Sequence, residues 1–132
     1  MIIELSEQEC YDLLTATTVG RIGFVHDARV LILPVNFVVS GRDLLLRTTA
    51  EGLLGALSEV PVEVAFEVDG HVPLSRTAWS VLMHGPLSRV PEEEAAAVLP
   101  RVSPWAGGER DLPLRFHIES MTGRSVHGDQ AP

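Results

Sequence analysis

The stretch VGRIGFVHDARVLILPVNFVV, residues 19–39, decides the fold class of this 132-residue chain. It contains two apolar runs rich in β-branched residues, 19–25 and 30–39. The segment HDAR between them, 26–29, is short enough to be a turn. Two strand-like runs joined in this way predict a β-hairpin.

Four later stretches continue the strand pattern. SGRD turns the chain into LLLRTT (44–49), and VEVAFEVD (62–69) alternates apolar with polar residues, which predicts a half-buried strand. AWSVLMHGPLSRV (78–90) is a long strand with a Gly-Pro break, and LRFHIESM (114–121) alternates again. MTGR (121–124) is predicted to end this last strand in a turn.

Helical signals are short and lie between the strands. SEQE, residues 6–9, is a capping box that predicts a helix ending near Thr17. A short helix is expected to begin near Ala50, and PEEEAAAVL (91–99) is a helix opened by proline. Six strands joined mainly by hairpin turns predict a mainly β (α+β) fold in which an antiparallel sheet closes into a barrel.

The chain is predicted to form one domain. Its length is typical of a single domain, and only a polar tail after about residue 126 differs in character from the rest. We therefore expect a domain spanning 1–126 and a tail spanning 127–132.

Net charge limits the classes of partner. The formal charge is -8, and all ten basic residues are arginines. An acidic chain without a basic run is a poor nucleic-acid binder. The absence of lysine excludes an internal Schiff base and a P-loop lysine. A bound phosphate would have to be held by arginine, hydroxyl groups and backbone N–H groups.

The same composition indicates a cytoplasmic protein. Cys10 is the only cysteine, so the chain has no internal disulfide, and its helical spacing with Leu13 and Leu14 predicts a buried structural residue. No apolar run reaches the length of a membrane span, and the first residues lack the basic region of a signal peptide. We expect a soluble protein that does not interact with a membrane.

The run 30–39 is apolar on both of its faces, whereas a barrel strand in a monomer should be polar outside. Something must cover the outer face. A second copy of the chain is the preferred cover, which predicts a homodimer formed sheet to sheet. The alternative is that one of the helices covers it.

Seven motifs in order resemble a known family. They are VGRIGFV, PVNFVV, LLLRTT, AFEVD, WSVLMHG, PW and MTGR, and they span roughly residues 5 to 126. Together they resemble small actinobacterial members of the pyridoxamine 5′-phosphate oxidase-like family of flavin-binding split β-barrels. The resemblance implies a six-stranded split barrel, a homodimer, and FMN or a deazaflavin in a cleft between subunits.

The resemblance also implies site residues. Pro34, Val35 and Asn36 would run beside the isoalloxazine ring, with the backbone of the last two meeting its polar edge. The phosphate would be faced by Arg47, Thr48 and Thr49. Trp79, Ser80 and Val81 would line the cleft or contact the flavin across the dimer.

The residues themselves support part of this assignment. Arg47 carries a planar charged fork suited to phosphate, two threonines add hydroxyl donors, and a helix start nearby would add free N–H groups. The alternative interpretation is a surface arginine paired with a carboxylate and a threonine acting as helix N-cap.

Position 53 departs from the family pattern. Family members have a sequence similar to RT..GSKL at this place, and its lysine binds the phosphate. This chain has Leu53 at the position of that lysine and Glu51 close by. Losing one charge-assisted bond lowers affinity by about ten- to a hundredfold. Arg42, Arg76 and Arg124 are candidates to compensate from elsewhere in the chain.

Two functions therefore stay open. The first is a flavin-binding oxidoreductase that passes electrons through flavin N5 to an unidentified small substrate. The second is a barrel that serves as a binding or regulatory module, with weak or no flavin binding because of Leu53. No catalytic acid, base or nucleophile stands out, which agrees with chemistry performed by a cofactor and equally with no catalysis.

Aromatic and histidine residues add little to this choice. Trp105 is interpreted as a packing residue in the core or an interface, whereas Trp79 is open between packing and stacking on a ring. The five histidines show no metal-binding spacing, so no metal site is predicted.

Overall fold

The computed structural model describes residues 1–105 and 110–128, which form nine strands and three helices. The strands are β1 (Ile2–Glu4), β2 (Val19–His26), β3 (Arg29–Asn36), β4 (Val38–Ser40), β5 (Asp43–Thr48), β6 (Val62–Val72), β7 (Thr77–Arg89), β8 (Leu112–His117) and β9 (Ser120–His127). The helices are α1 (Glu7–Leu14), α2 (Leu53–Leu57) and α3 (Glu92–Val98), and a 3₁₀ turn, Leu99–Arg101, follows α3.

The predicted hairpin is confirmed as β2 and β3. The two strands are antiparallel from the pair Val19 and Asn36 to the pair His26 and Arg29. Asp27 and Ala28 between them both have positive φ angles, 51° and 60°. Positive φ at both central residues is the geometry of a type I′ turn, whose twist matches that of the flanking strands.

The barrel closes because the stretch of chain that forms β3 and β4 pairs first with one strand and then with another. β3 pairs with β2, and after a break at Phe37 the chain continues as β4, which pairs with β5. The Phe37 side chain is buried edge-on against Phe66, with ring centroids 5.5 Å apart. Counting β3 and β4 as one interrupted strand gives a ring in the order β2, β3–β4, β5, β8, β7, β6, in which the chain itself and not a hydrogen-bonded strand pair joins β3 to β4. The predicted antiparallel barrel is thereby confirmed, although the described residues form nine strands rather than the predicted six.

The predicted Gly-Pro break bends β7 without ending it. β7 pairs with β6 along its length, with β9 before the break and with β8 after it. A Cβ atom at Gly85 would collide with the carbonyl oxygen of His117. Gly85 therefore permits the close approach of the backbone at which β7 exchanges one neighbour for the other.

The prediction for residues 114–124 is wrong. LRFHIESM is not one strand, because β8 ends at His117, and the N–H groups of Ile118 and Glu119 donate to Arg42 O and His84 O. MTGR does not form a turn but lies inside β9. Its glycine, Gly123, is needed because a Cβ there would collide with Cys10 Sγ on α1.

β1 was not predicted, and it exists as a strand through pairing with β9. His127 is the last residue of β9, and Gly128 N donates to Arg76 O. Residues 129–132 of the predicted tail lie outside the described residues. The boundary at 126 therefore stays a prediction.

The first helix confirms its predicted start. Ser6 Oγ accepts from Glu9 N, and Ser6 N donates to the Glu9 carboxylate, which completes the capping box. The helix ends at Leu14, short of the predicted Thr17. Cys10 is buried on its inner face, as predicted. No helix among the described residues is long and apolar enough to span a membrane.

The core fills the barrel around stacked aromatic rings. Phe66 and Phe116 have centroids 5.4 Å apart, and each is fully buried. A smaller cluster of Leu45, Val90 and two apolar residues of the α3 segment, Val98 and Val102, packs outside β5. This second cluster fixes the segment after α3 near the end of β5.

The outer surface of the hairpin carries exposed apolar side chains. Val25, Val30 and Ile32 are 65%, 73% and 64% exposed, and Leu82 of β7 is 41% exposed beside them. These residues line a shallow depression of about 500 Å³. We call Val25, Val30, Ile32 and Leu82 the apolar outer face. The alternative that a helix covers β3 is wrong for the described residues, because Val30 and Ile32 remain exposed.

Candidate functional site

Six of the nine predicted site residues line one cavity. It has a volume of about 330 Å³ and lies between β3, the end of β5 and the start of α2. We call it the strand-end cavity. The predicted residues that line it are Pro34, Val35, Asn36, Arg47, Thr48 and Thr49. Its other walls include Leu33, Gly52, Leu53, Leu54, Pro104 and Arg110.

β3 offers backbone groups along one edge of this cavity. It is the end strand of the hydrogen-bonded order, with β2 as its neighbour among the described residues. An edge strand keeps unpaired N–H and C=O groups available to a ligand. The Asn36 side chain is already used, since its Oδ1 accepts from Trp105 N at 2.8 Å and its Nδ2 donates to Thr18 O at 3.4 Å.

Trp105 is held beside the cavity by this backbone contact. Its side chain is 75% exposed, so the interpretation as a core residue is wrong. The interface interpretation of Trp105 stays a prediction.

Arg47 has partners that neither sequence interpretation anticipated. Its Nε donates to the carbonyl oxygen of Arg110 at 2.7 Å, and its Nη1 donates to those of Leu99 and Val102 at 3.1 and 3.2 Å. No carboxylate pairs with it among the described residues. The guanidinium therefore ties β5 to Leu99 and Val102, which follow α3, and to Arg110, which precedes β8. Its Nη2 makes no hydrogen bond within the part of the chain that the structure describes.

The two threonines and a glycine form the polar corner of the cavity. Thr48 is buried, and a Cβ at Gly52 would lie 2.8 Å from Thr49 Oγ1. The missing side chain at Gly52 thus leaves room beside the Thr49 hydroxyl. The helix begins at Leu53 rather than near Ala50, and its N-cap is Gly52 rather than a threonine.

Position 53 does border the strand-end cavity, where Leu53 contributes an apolar wall. Glu51 is not among the lining residues. The described lining therefore holds two arginines and no carboxylate, so it contains no negatively charged side chain that would repel a phosphate.

Arg110 is the lining residue that sequence reasoning missed. Its Nε is buried without a hydrogen-bond partner among the described residues. Its position follows from sheet pairing, because Pro113 lies opposite Arg47 and Leu112 opposite Thr48. No local pattern in the sequence signals this pairing.

The arginines considered as compensation lie elsewhere. Arg42 forms an ion pair with Glu7 at 2.5 Å, and Arg124 lies on β9 against Ser80 of β7. Arg76 lies in the turn between β6 and β7. None of the three lines the strand-end cavity.

Trp79, Ser80 and Val81 do not reach this cavity within one protomer. Val81 is fully buried in the core, and Trp79 packs over Gly70, where a Cβ would lie 2.7 Å from Trp79 Nε1. Trp79 lines a separate cavity of about 380 Å³ near α1. Their contact with a flavin across a dimer stays a prediction.

The residues of the strand-end cavity fit a phosphate-bearing ligand such as the FMN that the resemblance implies. An unpaired buried guanidinium nitrogen at Arg110 and the space at Gly52 beside a hydroxyl are both suited to an anion. Among the described residues, no group of three or more His, Cys, Asp or Glu is placed to hold a metal ion.

Comparison with known proteins agrees with this fold. The model of the family described as pyridoxamine 5′-phosphate oxidase matches residues 6–125. A protein of Mycobacterium tuberculosis, Rv0080, described as uncharacterised, is 33% identical over 97% of this chain and 88% of its own length.

Solved structures are similar over nearly the whole chain. An FAD binding protein from Mycobacterium smegmatis is 31% identical, with a TM-score of 0.74 over 96% of this chain and 100% of that one. A protein from Corynebacterium glutamicum described as a pyridoxamine 5′-phosphate oxidase is 24% identical, with a TM-score of 0.79 over 98% and 96%, and supports the fold alone. With the family model covering nearly all of the barrel, the chain belongs to the pyridoxamine 5′-phosphate oxidase family.

Proposed function

We propose that this protein is a flavin-binding oxidoreductase and that the phosphate of its flavin binds in the strand-end cavity. The observation that carries the proposal is that this cavity joins two arginines, two threonines and an edge strand, with no carboxylate in the described lining. A flavin has the matching parts, a flat ring with a polar edge and a phosphorylated tail. The 31% identical FAD binding protein supports the same class of ligand.

Separate parts of the cavity would hold the two parts of the cofactor. Thr48, Thr49 and the neighbouring guanidinium groups would bind the phosphate, and the free edge of β3 at Pro34–Asn36 would lie along the ring. A bound flavin supplies electron transfer through its N5 atom. The chain contributes binding and orientation, which agrees with the absence of a catalytic acid or base in its sequence pattern. FMN, whose phosphate is a terminal monoester, is the preferred flavin; FAD, whose phosphate is part of a diphosphate, and a deazaflavin are alternatives.

A titration tests this proposal directly. FMN, FAD or a deazaflavin is added to purified apoprotein, and quenching of the flavin fluorescence is followed. We expect saturable binding at micromolar concentrations. We also expect Gly52→Ala to weaken FMN binding, because the added Cβ crowds the Thr49 hydroxyl. Absence of binding for all three flavins would remove the proposal.

The active unit is proposed to be a homodimer. The apolar outer face exposes Val25, Val30 and Ile32, and burying each such side chain contributes about 1.5–3 kcal/mol. A second copy with the same surface would bury these residues symmetrically. The substrate, a small molecule, would then enter a cleft between the subunits.

Light scattering after size exclusion tests the dimer. Ile32→Glu places a charge in the proposed interface and should give a monomer. Leu74→Glu is the control, because Leu74 is fully exposed in the turn between β6 and β7. A wild-type protein that runs as a monomer, or an unchanged dimer in Ile32→Glu, would contradict the assignment.

The leucine at position 53 is the reason for a second candidate function. A barrel that binds flavin weakly or not at all would act as a binding or regulatory module. The discriminating result is a colourless purified protein that leaves the fluorescence of all three flavins unchanged.

A further inference from the structure

Most of the Arg47 guanidinium is committed to the protein itself. Three backbone carbonyls accept from its Nε and Nη1, so those N–H groups are not available to a ligand. Leu53, at the position where the family pattern has a lysine, offers no charge. Of the two positions that the sequence pattern points to, only Arg47 Nη2 is left for a phosphate in the strand-end cavity, so a second cation is needed to make up for Leu53.

Arg110 has the properties that this role requires. It borders the same cavity as Thr48 and Thr49, and its Nε is buried with no partner among the described residues. Leaving a buried charged donor unpaired is costly, so such a nitrogen is suited to an anionic partner. A phosphate monoester carries a charge of about −1.5 to −2 at neutral pH and accepts several hydrogen bonds.

We infer that Arg110 binds the flavin phosphate and replaces the cation lost at position 53, an assignment that rests on the proposed function. The family pattern has its cation at position 53, at the start of α2, whereas in this chain the cation would be Arg110, before β8. Both segments border one cavity, so either can supply the charge to the same place.

Arg47 becomes a positioning residue in this arrangement. Its shortest bond, 2.7 Å, goes to the backbone oxygen of Arg110 itself. The two other bonds go to the carbonyl oxygens of Leu99 and Val102, which follow α3. Arg47 thus fixes the backbone from which the Arg110 side chain extends, and its remaining nitrogen, Nη2, is the one left for a ligand.

The test compares FMN with riboflavin, which has the same ring and no phosphate. Fluorescence quenching gives both dissociation constants for wild type and for Arg110→Met. We expect the variant to bind FMN about ten- to a hundredfold more weakly and riboflavin unchanged, because one charge-assisted contact to phosphate is lost. Arg101→Met is the matched control, since Arg101 is exposed and its guanidinium donates to Ser40 Oγ.

Two further variants extend the test. Arg110→Lys keeps the charge without the fork and should lose less affinity than Arg110→Met. Leu53→Lys placed in the Arg110→Met background should restore the preference for FMN. Thermal unfolding of each apoprotein checks folding, which Arg110→Met should preserve because Arg47 bonds to the backbone of residue 110.

The outcomes separate the inference from the function. Wild type that binds no flavin contradicts the proposed function. Wild type that binds FMN no more tightly than riboflavin, or Arg110→Met that keeps the full preference for FMN, overturns the role of Arg110 and leaves flavin binding intact. Should neither Arg110 variant fold, thermal stabilisation of wild type decides: equal stabilisation by FMN and riboflavin overturns the inference, and greater stabilisation by FMN supports it.

Discussion

Replacing Arg47 with methionine should destabilise the apoprotein, whatever the cofactor. Methionine keeps much of the aliphatic length and removes the guanidinium. Three carbonyls, those of Leu99, Val102 and Arg110, then lose their donor. The described residues Leu99, Val102 and Arg110 lose their polar attachment to β5, while the apolar cluster that contains Val98 and Val102 still holds the residues after α3 in part.

The magnitude follows from the number and kind of these bonds. A hydrogen bond to a charged group contributes about 1.5–3 kcal/mol, but such values are not additive within one network. The contacts are only partly buried, so water can reach some of the released carbonyls. We therefore expect the free energy of unfolding to fall by about 2–4 kcal/mol. For a domain of this size that lowers Tm by roughly 7–14 °C.

Differential scanning calorimetry on apoprotein measures this shift. Arg47→Lys tests the geometry, because an ammonium group cannot reproduce the planar fork and should recover only part of the loss. Arg101→Met is again the control and should stay near wild type, since its contact with Ser40 is exposed. A Tm of Arg47→Met within about 2 °C of wild type would show that the carbonyl contacts add little, and the positioning role of Arg47 would fall with them.

Three further results are expected. The Ser6 N–H, and next the Ser6 side chain, hold the pKa of Glu9 below its usual 4.5. A lowered folded pKa stabilises the fold above the unfolded value, so wild type should lose its advantage over Glu9→Gln in thermal unfolding as the pH falls below about 4.5, and parallel pH profiles would contradict this. Burial, and then Glu9, raise the pKa of Cys10, so iodoacetamide should label it only after denaturant is added; rapid labelling of the folded protein would be the contrary result. Gly85→Ala should lower the free energy of unfolding by about 1–3 kcal/mol in a denaturant titration, because its Cβ meets His117 O, and an unchanged midpoint would contradict that contact.

The errors in the sequence-based fold have a common physical origin. MTGR resembles a turn because glycine favours turns, yet Gly123 lies in a strand whose neighbour α1 leaves no room for a side chain. β1 has only three residues and depends on β9 for its hydrogen bonds. Because the sequence did not predict β9 in its full extent, it could not predict β1 either. Each case depends on a contact distant in sequence.

The amino-acid sequence alone is sufficient to infer the hairpin, the antiparallel barrel and the restriction of the basic residues to arginine. These follow from alternation, turn residues and composition, which act over a few neighbouring positions or over the chain as a sum. It also indicated Arg47, Thr48 and Thr49, and the three border one cavity with Pro34, Val35 and Asn36.

Which arginine N–H groups are left for a ligand follows from contacts that form only in the folded chain. Arg47 and Arg110 are far apart in sequence, and the pairing of β5 with β8 brings them together. That pairing gives the Arg47 guanidinium three carbonyl partners and leaves the Arg110 Nε without one. The sequence shows that both residues are charged, whereas the demand for an anion depends on which of their N–H groups the folded backbone has already paired.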